Sequence, residues 1–160
     1  MIFDIIKKRR SVFPVQYNDS PIAKEDIEKV LKAGNWAPNH KCTEPWRFKV
    51  IQGDGKKRLG IFLSKKYEEL DPKPKAMKIK KLQENPQMAS AIIAICMQRD
   101  PKESIPEWEE VAAVAMAVQN MWLQCTDMGI GSYWSSPGLI KYMDEFLSLN
   151  EGEKCLGFFY

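Results

Sequence analysis

The sequence predicts an α+β domain in which helices pack around a small mixed β-sheet, with one buried helix at the centre. Residues 111–118 are all apolar, which indicates a helix surrounded by the core. The apolar run 91–97 is short enough for a buried strand, and residues 154–160 are predicted to close the chain as another. The 160 residues, 44% of them hydrophobic, are enough for one domain spanning residues 1–160.

The central helix is predicted to begin after Pro106 and to end at Gly129. Proline suits the first position of a helix, and the glutamates that follow it lie where the helix dipole favours negative charge. Polar Gln119 and Asn120 interrupt the apolar run too early for a membrane span, which needs about 20 apolar residues. The segment after Gly129 is predicted to begin as a short strand and to end in small polar residues at 134–136, whose backbone amides are candidates to face a ligand.

The other elements follow from the spacing of apolar side chains and from turn residues. The predicted order is a short amphipathic helix over residues 2–6, a helix over 24–33, a strand over 46–52, a helix through 59–67 and a short helix over 139–147. Residues 71–86 are polar and strongly basic, and they are predicted to form a solvated, mobile excursion. The alternative is a lid that contacts an anionic cofactor or substrate. A loop over 100–105 leads back to the central helix.

Composition narrows the function classes. The net charge of +3 is small beside the clustered excess of nucleic-acid-binding proteins, so neither a nucleic-acid partner nor a membrane partner is predicted. The apolar start of the chain is too short for a secretory signal, and a cytoplasmic location is predicted. The four cysteines are scattered and have His40 as the only histidine partner, so no metal site is predicted.

Two stretches combine residue types that bind ligands, and each has a structural and a functional interpretation. The basic cluster at residues 7–11 includes Arg9, Arg10 and Ser11. It is either the solvated end of the first helix or a phosphate site, because an arginine fork beside a hydroxyl matches phosphate oxygens. The loop 35–48 is rich in aromatic and polar groups and contains His40. A lone loop histidine is either structural or functional, and the sequence assigns it no catalytic partner.

Three features in one order carry a resemblance to a known family. Arg9, Arg10 and Ser11 follow an amphipathic helix, residues 36–40 precede the segment 44–48 at close spacing, and the central helix leads into residues 129–136. Together these features resemble the nitroreductase family of FMN-dependent oxidoreductases, especially its short single-domain members. The resemblance covers nearly the whole chain. It favours the phosphate-site interpretation of the basic cluster.

The resemblance implies a homodimer with FMN bound at the subunit interface, no catalytic side chain and no metal. It implies that Arg9, Arg10 and Ser11 hold the phosphate, the ribityl chain and the pyrimidine edge of FMN. It further implies that three residues line the flavin ring: Trp134, Ser135 and Ser136. By the same resemblance, Trp36 and His40 reach the flavin of the other subunit, and Gln124 lies near the nicotinamide cofactor. Two departures stand out: family members usually continue past the last strand with a tail that supplies a basic phosphate contact, and close short relatives have arginine where Trp36 stands.

The implied activity has two half-reactions: NADH or NADPH reduces FMN by hydride transfer, and the reduced flavin then reduces a nitroaromatic or quinone-type acceptor. One alternative is a specialised flavin enzyme of the same superfamily, which uses oxygen or carries out a dehydrogenating tailoring step. A second alternative is a flavin-binding or basic interaction module without catalysis, in which residues 73–81 contact an acidic partner.

Overall fold

The computed structural model describes all residues, 1–160. It contains five α-helices and four β-strands, which occur in the order α1 (Ile2–Lys8), α2 (Lys24–Gly34), β1 (Trp46–Ile51), α3 (Asp54–Leu70), α4 (Ala76–Met88), β2 (Ile92–Gln98), α5 (Glu107–Asp127), β3 (Trp134–Ser135) and β4 (Glu153–Phe159). Short 3₁₀ helices lie at Pro14–Gln16, His40–Cys42 and Gly138–Glu145. The predicted α+β class is confirmed, and most predicted elements lie within a few residues of the observed ones. None of the helices combines the length and the apolar content that a bilayer crossing requires.

The four strands form one sheet in the order β1-β2-β4-β3. All three strand pairs are antiparallel, so the prediction of a mixed sheet is wrong. The reason lies in the connection between β1 and β2, which contains both α3 and α4. A single crossover helix would return the chain parallel to its first strand, whereas two successive helices reverse it once more.

Strand β2 lies at the centre of the core and separates two apolar clusters. On one face, Ile93 and Ile95 pack with Val114 and Val118 of α5 and with neighbouring apolar residues. On the other face, Ile92 belongs to a cluster of buried side chains that includes Leu59 of α3, Met143 of the Gly138–Glu145 helix and Phe158 of β4. Because both faces are covered, the strand is apolar without interruption.

Helix α5 is the central helix, as predicted, and its side that faces the sheet is buried. The predicted burial on all sides is not observed, because Trp108 is 68% exposed and Met116 is 40% exposed. The start of the helix is fixed by Glu110, which is fully buried, pairs with the guanidinium of Arg99 and accepts a 2.9 Å hydrogen bond from the backbone N–H of Asp100. These bonds compensate the cost of burying the Glu110 carboxylate.

The predicted mobile excursion at residues 71–86 is the main error in the secondary structure, because residues from Ala76 onward form helix α4. Its lysines lie on the solvated side, and a narrow stripe of Ile79, Leu82 and Pro86 is partly or fully buried. Gly60 of α3 permits close contact, since a Cβ there would lie 2.6 Å from the carbonyl oxygen of Gln83. The helix was missed because this apolar stripe, although it has helical spacing, is narrow and is surrounded by charged residues in the sequence.

Candidate functional site

The segment that follows α1 is hydrogen-bonded to α5 and to the residues just before β3. The indole Nε1 of Trp122 donates a 3.2 Å hydrogen bond to the carbonyl of Arg10, and the N–H of Val12 donates a 3.1 Å bond to the carbonyl of Ser132. Helix α1 itself buries no residue. These two hydrogen bonds therefore hold the basic cluster against the end of the central helix.

Arg9 and Arg10 have different surroundings. The guanidinium carbon of Arg9 lies 4.6 Å from the centroid of the Trp122 ring, a cation–π arrangement. The guanidinium of Arg10 donates hydrogen bonds to the carbonyls of Lys7 (2.6 Å) and Arg9 (2.8 Å) and is exposed. Ser11 lies next to them and is also exposed. The structure thus brings the three residues to one place but gives Arg9 alone an aromatic platform.

Trp134 and Ser135 form β3, the edge strand beside β4. Pairing with β4 uses one side of the strand only, so the other side has backbone groups with no strand partner. The indole of Trp134 lies over Gly157, where a Cβ would be 2.3 Å from its Nε1, and it donates a 3.3 Å hydrogen bond to the carbonyl of Leu156. Ser136 follows the strand and is exposed.

Phe159 connects these two groups of residues. Its ring meets the Trp122 ring edge to face at 5.8 Å, and its backbone is the strand partner of Trp134. Arg9, Trp122, Phe159 and Trp134 are therefore linked by successive contacts near the end of α5, and Phe159 is the buried member of this group. Gln124 lies on the same stretch of helix, half buried, and its carbonyl accepts a 3.1 Å hydrogen bond from Met128.

A cavity of about 760 Å³ adjoins the basic cluster, within the usual size range of small-molecule sites. Arg10 lines it, but the other predicted site residues do not. The hydroxyls of Tyr17 and Ser132, both in the cavity lining, are buried without a hydrogen-bond partner. Burial and, to a lesser extent, the neighbouring Tyr133 raise the pKa of Tyr17, so its hydroxyl stays protonated and is available as a donor.

Trp36 and His40 lie elsewhere. The Nδ1 atom of His40 is 2.5 Å from Oε2 of Glu109 in the first turn of α5, and Trp36 is 80% exposed. His40 lines a shallow depression of about 300 Å³ together with Trp108 and Met116. No three His, Cys, Asp or Glu side chains come together as a metal site would require.

The predicted site residues therefore occupy two regions of the chain. One region, at the end of α5, holds Arg9, Trp134 and their neighbours, and the other, at its start, holds His40. Glu109, which contacts His40, and Trp122, which contacts Arg9, are about 20 Å apart along the helix at about 1.5 Å per residue. One small ligand bound by a single chain does not bridge that distance.

Sequence reasoning missed three residues that shape these regions: Trp122, Gly157 and Glu109. Trp122 lies in the apolar stretch of α5 and carries no signal that separates it from a core residue. Gly157 has a φ of +148° and lies under Trp134, and a glycine inside a predicted strand was the available hint. Glu109 was explained by the helix dipole, which accounts for an acid at that position without reference to His40.

The fold is that of the nitroreductase-like proteins. A crystal structure of a nitroreductase-like family protein from Bacillus cereus superposes with a TM-score of 0.86 and 29% sequence identity, covering 100% of this chain and 83% of that one. Residues 6–160 also match the model of the nitroreductase family. The chain belongs to the nitroreductase family.

Two further relatives are informative. The Escherichia coli K12 protein named "Putative NAD(P)H nitroreductase YdjA" is 30% identical over 138 residues, which are 85% of this chain and 74% of the relative. A Desulfovibrio desulfuricans protein, solved in complex with FMN, superposes with a TM-score of 0.76 at 23% identity, covering 99% of this chain and 83% of that one. At that identity the second comparison bears on the fold.

Proposed function

We propose that this protein is an FMN-dependent NAD(P)H oxidoreductase of the nitroreductase type. The observation that carries the proposal is the group of residues at the end of α5, where Arg9 lies over Trp122 and Trp122 is linked through Phe159 to the edge strand β3. The names of the E. coli relative and the FMN of the D. desulfuricans structure agree with it. We assign the flavin ring to this region rather than to the adjoining cavity, because Arg9, Trp134 and Ser135 lie here and Arg10 is the one predicted site residue that lines the cavity.

The residues present suit such a cofactor. Arg9, Arg10 and Ser11 supply two cations and a hydroxyl for the phosphate, the ribityl chain and the pyrimidine edge. The unpaired edge at Trp134, Ser135 and Ser136 supplies backbone donors and acceptors for the rim of the ring. The Trp134 indole, held over Gly157, supplies a flat apolar wall.

FMN, when bound, supplies hydride transfer from NADH or NADPH and electron transfer to an acceptor. The chain's own groups bind and orient. A cation and hydrogen-bond donors close to the pyrimidine edge stabilise negative charge there, which favours the reduced ring. Gln124 is our candidate contact for the nicotinamide, and no side chain of the site is required as a nucleophile. We propose nitroaromatics or quinones as acceptors, because these flat molecules can stack against the flat indole of Trp134.

The complete site, in this proposal, belongs to a homodimer. His40 contacts α5 about 20 Å along the helix from Trp122, the residue that contacts Arg9, and Trp36 is exposed on the loop that carries His40. We therefore assign both residues to the flavin site of a second chain. Exposed apolar side chains are available for an interface: Ile2 and Phe3 of α1 are both 61% exposed, Trp108 is 68% exposed and Met116 is 40% exposed. Obligate homodimer interfaces have this apolar character.

The visible absorption spectrum of the purified protein tests the proposal. We expect FMN to remain bound after dialysis and to absorb near about 450 nm. Adding NADH or NADPH without oxygen should bleach this band, and a nitroaromatic or quinone should restore it. A protein that binds no added FMN contradicts the cofactor assignment, and bound flavin that neither nicotinamide reduces contradicts the electron donor.

A further inference from the structure

We infer that Glu109 is a positioning residue for His40: it fixes the imidazole with Nδ1 as the donor and Nε2 free for a group outside the chain. The inference rests on the proposed function, in which His40 contributes to the flavin site of a second chain. The contact between Nδ1 and Glu109 Oε2, at 2.5 Å, is the only side-chain hydrogen bond of His40 within the chain.

The assignment of the proton follows from the chemistry of the two groups. An ionised carboxylate only accepts hydrogen bonds, so at this distance the imidazole nitrogen must carry the proton. The bonded nitrogen of a histidine decides the tautomer, and the other nitrogen is left for function. In neutral His40, Nε2 is then an acceptor, and in the cation it is a donor.

The loop that carries His40 is strained and is held in place by several contacts. Lys41, Cys42 and Glu44, none of them glycine, have φ values of +52°, +53° and +41°. Such conformations persist only where the surroundings impose them, and they concentrate at functional sites. Here the side-chain oxygen of Asn39 accepts a 2.9 Å hydrogen bond from the N–H of Glu44, and Lys41 Nζ donates a 2.9 Å bond to the carbonyl of Ser104.

Glu109 lies on the rigid side of this contact. Its neighbour Glu110 is fully buried and bonded to Arg99 and to the backbone of Asp100, which fixes the first turn of α5. The Glu109 side chain is 23% exposed, whereas that of His40 is 57% exposed. A partly buried carboxylate on a helix thus holds a more exposed imidazole on a loop, and the restraint acts from Glu109 on His40.

An FMN titration of four proteins tests the coupling: wild type, His40→Ala, Glu109→Ala and the double variant. We expect each single variant to weaken FMN binding by about five- to tenfold, and the double variant to be no weaker than His40→Ala alone. Glu107→Ala is the matched control. Glu107 lies in the same turn of α5 as Glu109, but it pairs with Lys154 and not with His40. That control should leave the FMN dissociation constant within about twofold.

Two results overturn the inference. If Glu109→Ala binds FMN as tightly as wild type while His40→Ala does not, Glu109 positions nothing that the cofactor senses. If the losses from the two single variants add in the double variant, Glu109 acts on FMN by another route. Failure of the proposed function looks different, because the wild-type protein then binds no FMN at all.

The tautomer gives a readout independent of activity and of a general loss of stability. His40 is the sole histidine, so imidazole ¹⁵N spectra contain one residue's signals. We expect neutral His40 to carry its proton on Nδ1 in the wild type and in Glu109→Gln, whose amide oxygen still accepts. In Glu109→Ala the proton should move largely to Nε2. A wild-type spectrum with the proton on Nε2 overturns the inference.

Discussion

The guanidinium carbon of Arg9 lies 4.6 Å from the centre of the Trp122 ring, while the adjacent Arg10 bonds to backbone carbonyls of its own segment and lines the cavity near Tyr17. Helix α1 ends at Arg9, whose φ of −53° and ψ of 126° are not helical. The two arginines of the basic cluster therefore differ in their contacts within the chain. Trp122 links Arg9 to Phe159, which is the strand partner of Trp134.

We expect Arg9→Ala to weaken FMN binding by about tenfold or more, because it removes a charge-assisted contact from the proposed site. The core should stay intact, since Arg9 is only half buried. The measurement is flavin occupancy by absorption after dialysis, with thermal unfolding of the same samples. Arg47→Ala is the control, because the Arg47 guanidinium on β1 is exposed and bonds only to backbone carbonyls. Full flavin occupancy in the Arg9 variant would show that the phosphate site lies elsewhere.

We expect Gly157→Ala to destabilise the protein and to impair FMN binding. The new Cβ would be 2.3 Å from Trp134 Nε1 and 2.6 Å from the carbonyl oxygen of Ser135, so the wall formed by β3 must move. Overpacking of this kind costs about 1–3 kcal/mol. The free energy of unfolding in denaturant and the FMN dissociation constant are the measurements. Gly138→Ala is the control, because no atom lies within 4 Å of its Cβ position. Equal stability of both variants would contradict the close packing of Trp134 against Gly157.

Much of this fold could be predicted because its helices and strands are marked by the local spacing of apolar residues in the sequence. Strand β2 and helix α5 stand out as apolar runs of different length, and Gly129, with a φ of +71°, marks the end of the helix as expected. Helix α4 was missed because its buried stripe is only a few residues wide among lysines. Sheet direction was missed because it depends on how many helices connect two strands, a property of the chain path rather than of any residue.

The candidate site divides in the same way. The basic cluster, the His40 loop and residues 134–136 could be proposed from the sequence because their order along the chain resembles that of a known family, and their role in binding stays a prediction. Glu109 was not connected with His40, because the two are far apart in sequence and each has a sufficient local explanation. The separation of the two site regions by about 20 Å follows from packing along α5 and has no signal in the sequence.

We expect the stability of the protein to fall as the pH drops below the usual carboxyl pKa. The hydroxyl of Ser104 and the N–H groups of Lys102 and Ser104 lower the pKa of Asp100 from its usual value of 3.8. A depressed pKa in the folded state adds stability above the ordinary value, and that stability is lost as the pH falls through the folded-state pKa. Unfolding temperatures measured from pH 6 to pH 3 should therefore decline at the acid end.

The Asp100→Asn variant should start from a lower unfolding temperature at neutral pH and decline less steeply with acid. Asp19→Asn is the control, because Asp19 is exposed and its carboxylate makes no hydrogen bond. Its curve should follow that of the wild type. Parallel curves for Asp100→Asn and the wild type would show that the turn at Asp100 does not contribute to acid sensitivity.

We expect Met116→Glu to dissociate the proposed homodimer. Met116 is 40% exposed on the side of α5 that faces away from the sheet, so a charge there is solvated in a single chain but has no partner in an apolar interface. The dimer dissociation constant, measured by sedimentation over a range of protein concentrations, should rise by at least about tenfold. Because His40 would then be missing from the site of the second chain, FMN should bind more weakly as well. Ile61→Glu is the matched control, since Ile61 of α3 is also 40% exposed but lies away from α5, and it should leave both constants unchanged. A wild-type protein that stays monomeric while binding FMN tightly would contradict the shared site, and it would leave the Arg9 region sufficient by itself.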